Sequence, residues 1–468
     1  MKSTTNFKSG YTMKKLIYLL FLLLPVFGYT QLNLYKDSPL GYAWQNVGNA
    51  GFSAGSAQGT SLAFSPSGEP YVAYMDDVVF NKATVMRFDE TNWVNVGIAG
   101  FSTGAAWYTS LVFSPTGEAY LAYSDNGNSD KATVMTFNGS NWVYVGIAGF
   151  STGGAGYTSL AFSPSGQPYV AFMDLVNLNK ATVMKFDGSD WVIVGNAGFS
   201  ADDAWYSSLA FGLFGEPYVA FGNVEKATVM KFDGTNWINV GQPNFSAGGA
   251  PFTSLAFSPT GQPYVAYEDF GNSGKATVMK FDGISWVNVG NAGFSEGEAV
   301  FTSLVFSPSG EPFLAYMDSI NSNKATVVRF NGTDWVNVGN PDFSAGEADF
   351  TSLAFSPSGK PYVAYLDFEN SWKATVMKFD SVFTGIGELQ HSRISLYPNP
   401  ATEKITIETS GTAKGSNLAI VNIAGQELIT RQITEQKTQI DISTLPSGVY
   451  FIWLTNDKTV EVGKIIKQ

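Results

Sequence analysis

Six aspartates recur at matched positions along the 468-residue sequence: Asp76, Asp125, Asp174, Asp269, Asp318 and Asp367, with Asn223 standing at the seventh. Repeated carboxylates admit three uses. Two of them flanking a glycosidic bond, one kept protonated by a raised pKa, cleave glycans. A ring of them binds a cation or another ligand. Or each serves its own neighbourhood, pairing with the lysine that opens the next strand, as Asp76 with Lys82, or capping the loop backbone. The one-to-one recurrence of Asp and Lys favours the last use. No pair stands apart from its repeats, and catalysis requires asymmetry, so no catalytic residue is assigned.

Residues that break the repetition are better candidates for a ligand site. Trp107 and Trp205 occupy a position filled elsewhere by Gln58, Gly156, Pro251, Val300 and Asp349, and Trp372 lies in a loop. Asp202 and Asp203 adjoin Trp205. Tryptophans of this kind suit sugar stacking or a protein hot spot. The position after Trp107 is aromatic in six repeats (Tyr108, Tyr157, Tyr206, Phe252, Phe301, Phe350), and that regularity reads as packing. The run Asp125 to Asp130 offers oxygen ligands of the kind calcium takes, without the bidentate glutamate of an EF-hand loop. No other metal or cofactor is indicated. Cysteine is absent and the one histidine, His391, lies outside the repeats, which excludes thiol, Ser-His-Asp and His-ligated metal chemistry within them. The repeats hold only Arg87 and Arg329, too few for a sialidase-like carboxylate clamp.

The elements that position these residues follow from the repetition itself. Trp44, Trp93, Trp142, Trp191, Trp237, Trp286 and Trp335 are spaced 49, 49, 49, 46, 49 and 49 residues apart. Ser-Leu pairs from Ser61 and Lys-Ala-Thr triplets from Lys82 recur seven times each in step. One unit reads as four short strands: a (Thr109 to Phe113), b (Tyr120 to Tyr123), c (Lys131 to Phe137) and d (Trp142 to Val145). A Ser-Pro-Thr-Gly turn joins a to b and Asn138-Gly139 joins c to d. Four strands in about 49 residues is the size of a propeller blade; a β-helix coil would be about half as long. The chain begins with an unpaired strand d at Trp44 and its last unit ends after strand c, so the N-terminal strand supplies the missing edge of blade seven. The expectation is an all-β protein: a seven-bladed β-propeller, four strands per blade, plus a C-terminal immunoglobulin-like β-sandwich. The recurring Trp, with Phe64 and Phe113, fill the space between blades. The a–b and c–d turns are nearly constant, whereas the d–a links and b–c loops diverge, so the face carrying the latter is the binding face. In unit four the b–c loop (Gly222 to Glu225) is three residues shorter and Gly212-Leu213-Phe214-Gly215 replaces the Ser-Pro-Ser-Gly turn, which makes a notch there.

Both ends of the chain carry addresses. Lys14 and Lys15 precede an apolar run, Leu16 to Leu24, that stops at Pro25, too short to span a membrane and suited to a signal peptide over residues 1–30, with translation starting at Met1 or Met13. Residues 31–385 hold 15 basic and 31 acidic side chains, a net charge of −16, and residues 386–468 hold 8 of each. The shift places a boundary near 385: propeller over 31–380, linker 381–391, and an independent domain over 392–468. The acidic balance argues against nucleic acid as a partner. The last domain opens with Tyr397-Pro398-Asn399-Pro400, continues with Leu445-Pro446-Ser447-Gly448-Val449-Tyr450, and ends with Lys464-Ile465-Ile466-Lys467.

Those three motifs, in this order and spacing, resemble the type A C-terminal sorting domain of the type IX secretion system. The resemblance implies passage of the inner membrane by a signal peptide, then recognition by the type IX machinery, then secretion or display on the outer-membrane surface, with no transmembrane segment in the mature chain. The repeat region is similar to secreted propellers of the bacterial envelope, which implies architecture and no activity. The functional expectation is a binding propeller whose ligand is a glycan or an envelope or host protein. The alternatives are a glycan-degrading enzyme with paired carboxylates and a passive surface protein.

Overall fold

The computed structural model describes residues 41–222, 226–382, 394–409, 416–422, 426–455 and 460–468; the expected signal peptide, His391, Asn223 and most of the expected linker lie outside them. Among the described residues no helix is long and apolar enough to cross a membrane. Tyr42–Val382 form one compact unit and the C-terminal strands belong to a second.

The first unit is a ring of seven four-stranded antiparallel sheets, a seven-bladed β-propeller. Blade 2 shows the pattern: Ala106–Phe113, Ala119–Asp125, Lys131–Phe137 and Trp142–Tyr144. Strand a starts three residues before the turn pattern suggests, and strand b runs on to the aspartate. Both extensions arise because strand a takes one extra residue: the register shifts between Trp107 and Ser110, a β-bulge, repeated in blades 1, 3, 6 and 7. The strand Gly41–Asn46 pairs with Lys373–Val382 and completes blade 7, as the phase of the repeats predicts. Past that strand, Val47 N–H donates to Val376 O at 2.8 Å and Phe52 N–H to Ala374 O at 2.9 Å.

Blades meet through small faces against large ones. Ala73, Ala83 and Val85 of blade 1 pack on Leu111, Leu121, Tyr123 and Trp142 of blade 2 in one buried cluster. Each repeated tryptophan stacks on a phenylalanine of the preceding link, with ring centroids 4.1–4.8 Å apart. Its indole N–H donates across the blade boundary to a valine carbonyl at 2.7–2.8 Å, Trp44 to Val338 and Trp93 to Val47 included. The glycine after that valine is required. A Cβ on Gly48, at φ 70°, would stand 2.8 Å from the Phe88 ring.

The second unit pairs two sheets. Ile394–Tyr397, Lys404–Thr409 and Lys437–Asp441 form one; Glu427–Ile433, Ser416–Val421, Gly448–Thr455 and Val460–Lys467 form the other. Ile405, Ile407, Leu418, Ile420, Ile440, Ile452 and Ile465 fill the core. The Tyr450 hydroxyl donates back to Pro446 O at 2.7 Å, like the tyrosine corner of immunoglobulin-type sandwiches.

Two variants test this architecture. Deleting residues 44–48 opens the ring, so cooperative thermal unfolding of the propeller is lost; an unchanged melting curve contradicts closure by this strand. Trp142→Ala costs about 3–5 kcal/mol in denaturant unfolding, because the indole is buried and its N–H partner is left unpaired.

Candidate functional site

The inner strands of all seven blades converge on a cavity of about 450 Å³ on the divergent-loop side of the propeller. Its wall is the segment that enters strand a, bulged within the strand in blades 1, 2, 3, 6 and 7 and just ahead of it in blades 4 and 5. There Gly59, Tyr108, Tyr157, Tyr206, Phe252, Phe301 and Phe350 all lie in the left-handed region, φ 52° to 63°. Glycine reaches that region freely; each aromatic residue pays about 1–2 kcal/mol to sit there. The six rings pack in sequence, tilted edge on face, with centroids 4.5, 4.6, 4.4, 4.8 and 4.6 Å apart from Tyr108 round to Phe350. Gly59 leaves the gap in the horseshoe. The expected packing of this aromatic position is present, ring on ring, and the same rings also line the cavity. The sequence held a signal for it, a position that takes glycine in one repeat and a bulky ring in six.

Side-chain hydrogen bonds hold this strained segment. The threonine after each ring donates to the carbonyl of the ring residue in the preceding blade, as Thr158 to Tyr108, Thr253 to Tyr206 and Thr60 to Phe350. At blade 4 the belt breaks: Ser207 donates to its own Ala204 O. The horseshoe is also chemically divided. Tyr108, Tyr157 and Tyr206 form one arm, their phenols close enough to act on one another; Phe252, Phe301 and Phe350 form the other. Burial, then the neighbouring phenols, push the Tyr157 hydroxyl above its ordinary pKa.

Of the expected tryptophans, Trp107 lines the cavity and is 40% exposed. The Trp205 ring lies 5.9 Å from Tyr157, and its indole N–H donates to the Asp203 carboxylate at 3.4 Å. Asp202 accepts from the Asn244 amide at 3.4 Å. Trp372 does not line the cavity: it sits on the last b–c loop against Phe368, centroids 5.1 Å apart. Its φ is 59°, where the equivalent residues are Asn81, Asp130, Asn179, Gly274 and Asn323, so a bulky side chain is presented from a backbone position that favours small polar residues.

The acidic ring is buried. Asp76, Asp125, Asp174, Asp269, Asp318 and Asp367 are all at most 4% exposed. Each takes up loop donors. Asp125, for example, accepts from Gly127 N–H at 3.1 Å and the Asn128 amide at 2.7 Å, and Asp269 from the Thr277 hydroxyl at 2.8 Å. Among the described residues no ion pair joins them to the lysines opposite. Loop capping is their role, not pairing with lysine. The same donors surround Asp125 in the run considered for calcium, and Asn126 turns its amide to Asp130 at 3.0 Å. Arg87 and Arg329 are paired with Glu69 and Glu311.

Two other carboxylates depart from the repeats. Glu268, in strand b of blade 5, stands where other blades carry Met75, Ser124, Met173, Gly222, Met317 and Leu366, and is 6% exposed. Burial, then the Glu298 carboxylate, push its pKa up to about 7. Asp349, at the Trp107 position of blade 7, is raised to about 6 by burial and then by Glu347. Sequence reasoning passed over both, because neither belongs to a recurrent motif. Because Glu268 is raised, its charge opposes folding once pH passes from the ordinary glutamate range through about 7. Glu268→Gln therefore raises the propeller's melting temperature at about pH 8 and leaves it nearly unchanged at about pH 5; the same shift at both pH values contradicts this account.

In the C-terminal unit the expected motif residues come together. Asn399 binds the last strand on both sides: its amide donates to Lys464 O at 2.8 Å and its carbonyl accepts from Ile466 N–H at 2.9 Å. Pro398 and Pro400 flank it with cis peptide bonds. Tyr397 donates to Glu408 at 2.5 Å. Gly448 pairs with Lys467 in the strand register.

Residues 395–468 match the family of secretion system C-terminal sorting domains. No curated protein matches the chain. Among solved structures, similar folds include a protein of unknown function from Dyadobacter fermentans (12% identity, TM-score 0.45, 72% of this chain and 99% of that one). A PL25 ulvan lyase bound to -[GlcA(1-4)Rha3S]- aligns at 14% identity and TM-score 0.47, over 73% and 96% of the two chains. PorZ of Porphyromonas gingivalis, a surface component of the type IX secretion system, aligns at 13% identity and TM-score 0.40, over 87% and 70%. The chain thus joins a seven-bladed β-propeller to a type IX C-terminal sorting domain that engages the secretion machinery, and its destination is the medium or the outer-membrane surface.

Proposed function

We propose that the exported propeller is a binding protein, and that its ligand, a glycan, enters the aromatic mouth of the central channel. The observation that carries this reading is the strained backbone of six large aromatic residues around one cavity. Strain of this kind persists where the surrounding structure enforces it and clusters at functional sites. Rings held this way are preorganised for stacking against the apolar faces of sugars, and Trp107 and Trp205 extend the surface beside the tyrosine arm. The hydroxyls of Tyr108, Tyr157 and Tyr206 supply donors and acceptors on one arm only, which gives a ligand a preferred orientation.

One observation favours a second reading, glycan cleavage. Glu268 has a pKa of about 7, suited to a general acid, with Glu298 as a neighbouring carboxylate. Turnover of a polysaccharide that vanishes in Glu268→Gln would establish it.

The binding reading is tested on a glycan array and in pull-downs with Trp107→Ala/Trp205→Ala and Tyr157→Gly. The glycine variant reproduces what blade 1 already has at Gly59, so the fold is retained, and its melting curve checks this. Each lost ring weakens binding about three- to tenfold. Wild-type binding by all variants removes this site.

A further inference from the structure

The charges around the mouth are one-sided. Among the described residues no lysine or arginine lines the cavity. Glu268 lies close enough to Tyr206 to raise its pKa. Asp349 immediately precedes Phe350 on the same strand, and Asp203 holds the Trp205 indole. Among the described residues the groups facing these carboxylates add no compensating positive charge. Glu298 and Tyr206 face Glu268, and Lys275 meets Glu298 through a backbone bridge. Glu347 faces Asp349 and itself accepts from the Asn323 amide at 3.1 Å.

Glu268 is the sharpest case. It is 6% exposed and holds the strand-b position at which Met75 of blade 1 lines the cavity. A carboxylate withdrawn this far from water is stabilised by a positive partner. The six rings of the cavity wall carry negative π faces, which attract a cation most when it is weakly hydrated. Uronate and sulfate groups would meet the same carboxylates as repulsion. On the reading that this mouth is a binding site, we infer that its ligand presents an ammonium group to the aromatic horseshoe, and that a glycan bound there carries free amino sugars in place of uronic acids.

The probe is choline, whose charge does not vary with pH, against its carbon isostere, in which a tert-butyl group replaces trimethylammonium. Both are titrated into the full-length protein while Trp and Tyr signals are followed. At about pH 8 choline binds roughly three- to fivefold tighter than the isostere. At about pH 5, where Glu268 and Asp349 are protonated, the preference disappears. Glu268→Gln lowers the preference at the higher pH, and Tyr157→Gly weakens both probes. Equal affinities for the two probes, no choline binding, or a charge preference indifferent to Glu268→Gln overturns the inference. A neutral glycan still bound by wild type and lost in Tyr157→Gly would then leave the binding reading of the mouth standing, which separates the two failures.

Discussion

The propeller depends on how its innermost strands are closed. Strand a has a neighbour on one side only, and its other edge would leave backbone N–H groups facing the next blade without partners. The Ser-Leu pair supplies the answer. In every blade the leucine N–H donates to the serine hydroxyl of the preceding blade at 2.9–3.0 Å, Leu62 to Ser352 across the closing junction included. This contact sets the register of one blade on the next. The threonine beside it then meets the carbonyl of the neighbouring ring residue, and the extra residue between them has nowhere to go except the bulge. The left-handed aromatic position is thus a consequence of blade-to-blade registration, not a local preference of tyrosine or phenylalanine.

The same registration explains why one end of the molecule is regular and the other is not. At the constant end the turns satisfy themselves. Ser65 accepts from Glu69 N–H at 3.0 Å, Gly68 donates to Ser65 O at 2.9 Å, and Asp89 holds Thr91 and Asn92 N–H. Those backbone bonds lower the Asp89 pKa and leave little to vary without loss. At the other end the buried aspartates perform the structural work from beneath, fixing the loop ends. The tips are free to differ, from Phe80, 85% exposed, to the polar Asn126-Gly127-Asn128 turn.

Repetition made the architecture legible. The Trp, Ser-Leu and Lys-Ala-Thr series each mark a contact that every blade makes, so counting them gave seven blades, and the orphan Trp44 strand gave the closure. The terminal motifs were legible for the same reason: Asn399 and the last strand bind one another directly. The candidate site was legible only in part. Periodicity reports that a role is shared and is silent on backbone conformation, so Tyr108 and its equivalents looked like core. Only Gly59 among them hinted at a positive φ. The acidic ring misled in the opposite direction, because matched Asp and Lys positions suggest ion pairs, while in space the nearer partners are loop N–H groups and threonine hydroxyls. Glu268 and Asp349 had no repeat to announce them, and their raised pKa values come from burial that a sequence does not display.

Function in such a ring has to come from departures from its symmetry, since seven identical walls would offer a ligand seven equivalent poses. The departures are grouped. The tyrosine arm, Trp107, Trp205 and the break in the threonine belt at Ser207 fall on blades 2 to 4. The phenylalanine arm, with Glu268 and Asp349 behind it, falls on blades 5 to 7. Gly59 opens the ring between the two arms on the side of blade 1. On the proposed reading, a ligand at the mouth meets hydroxyls on one flank and apolar rings on the other, with the Gly59 gap between them. Neutral drift of single repeats would scatter such changes around the ring; their segregation into two chemically distinct arms is what a single bound orientation requires.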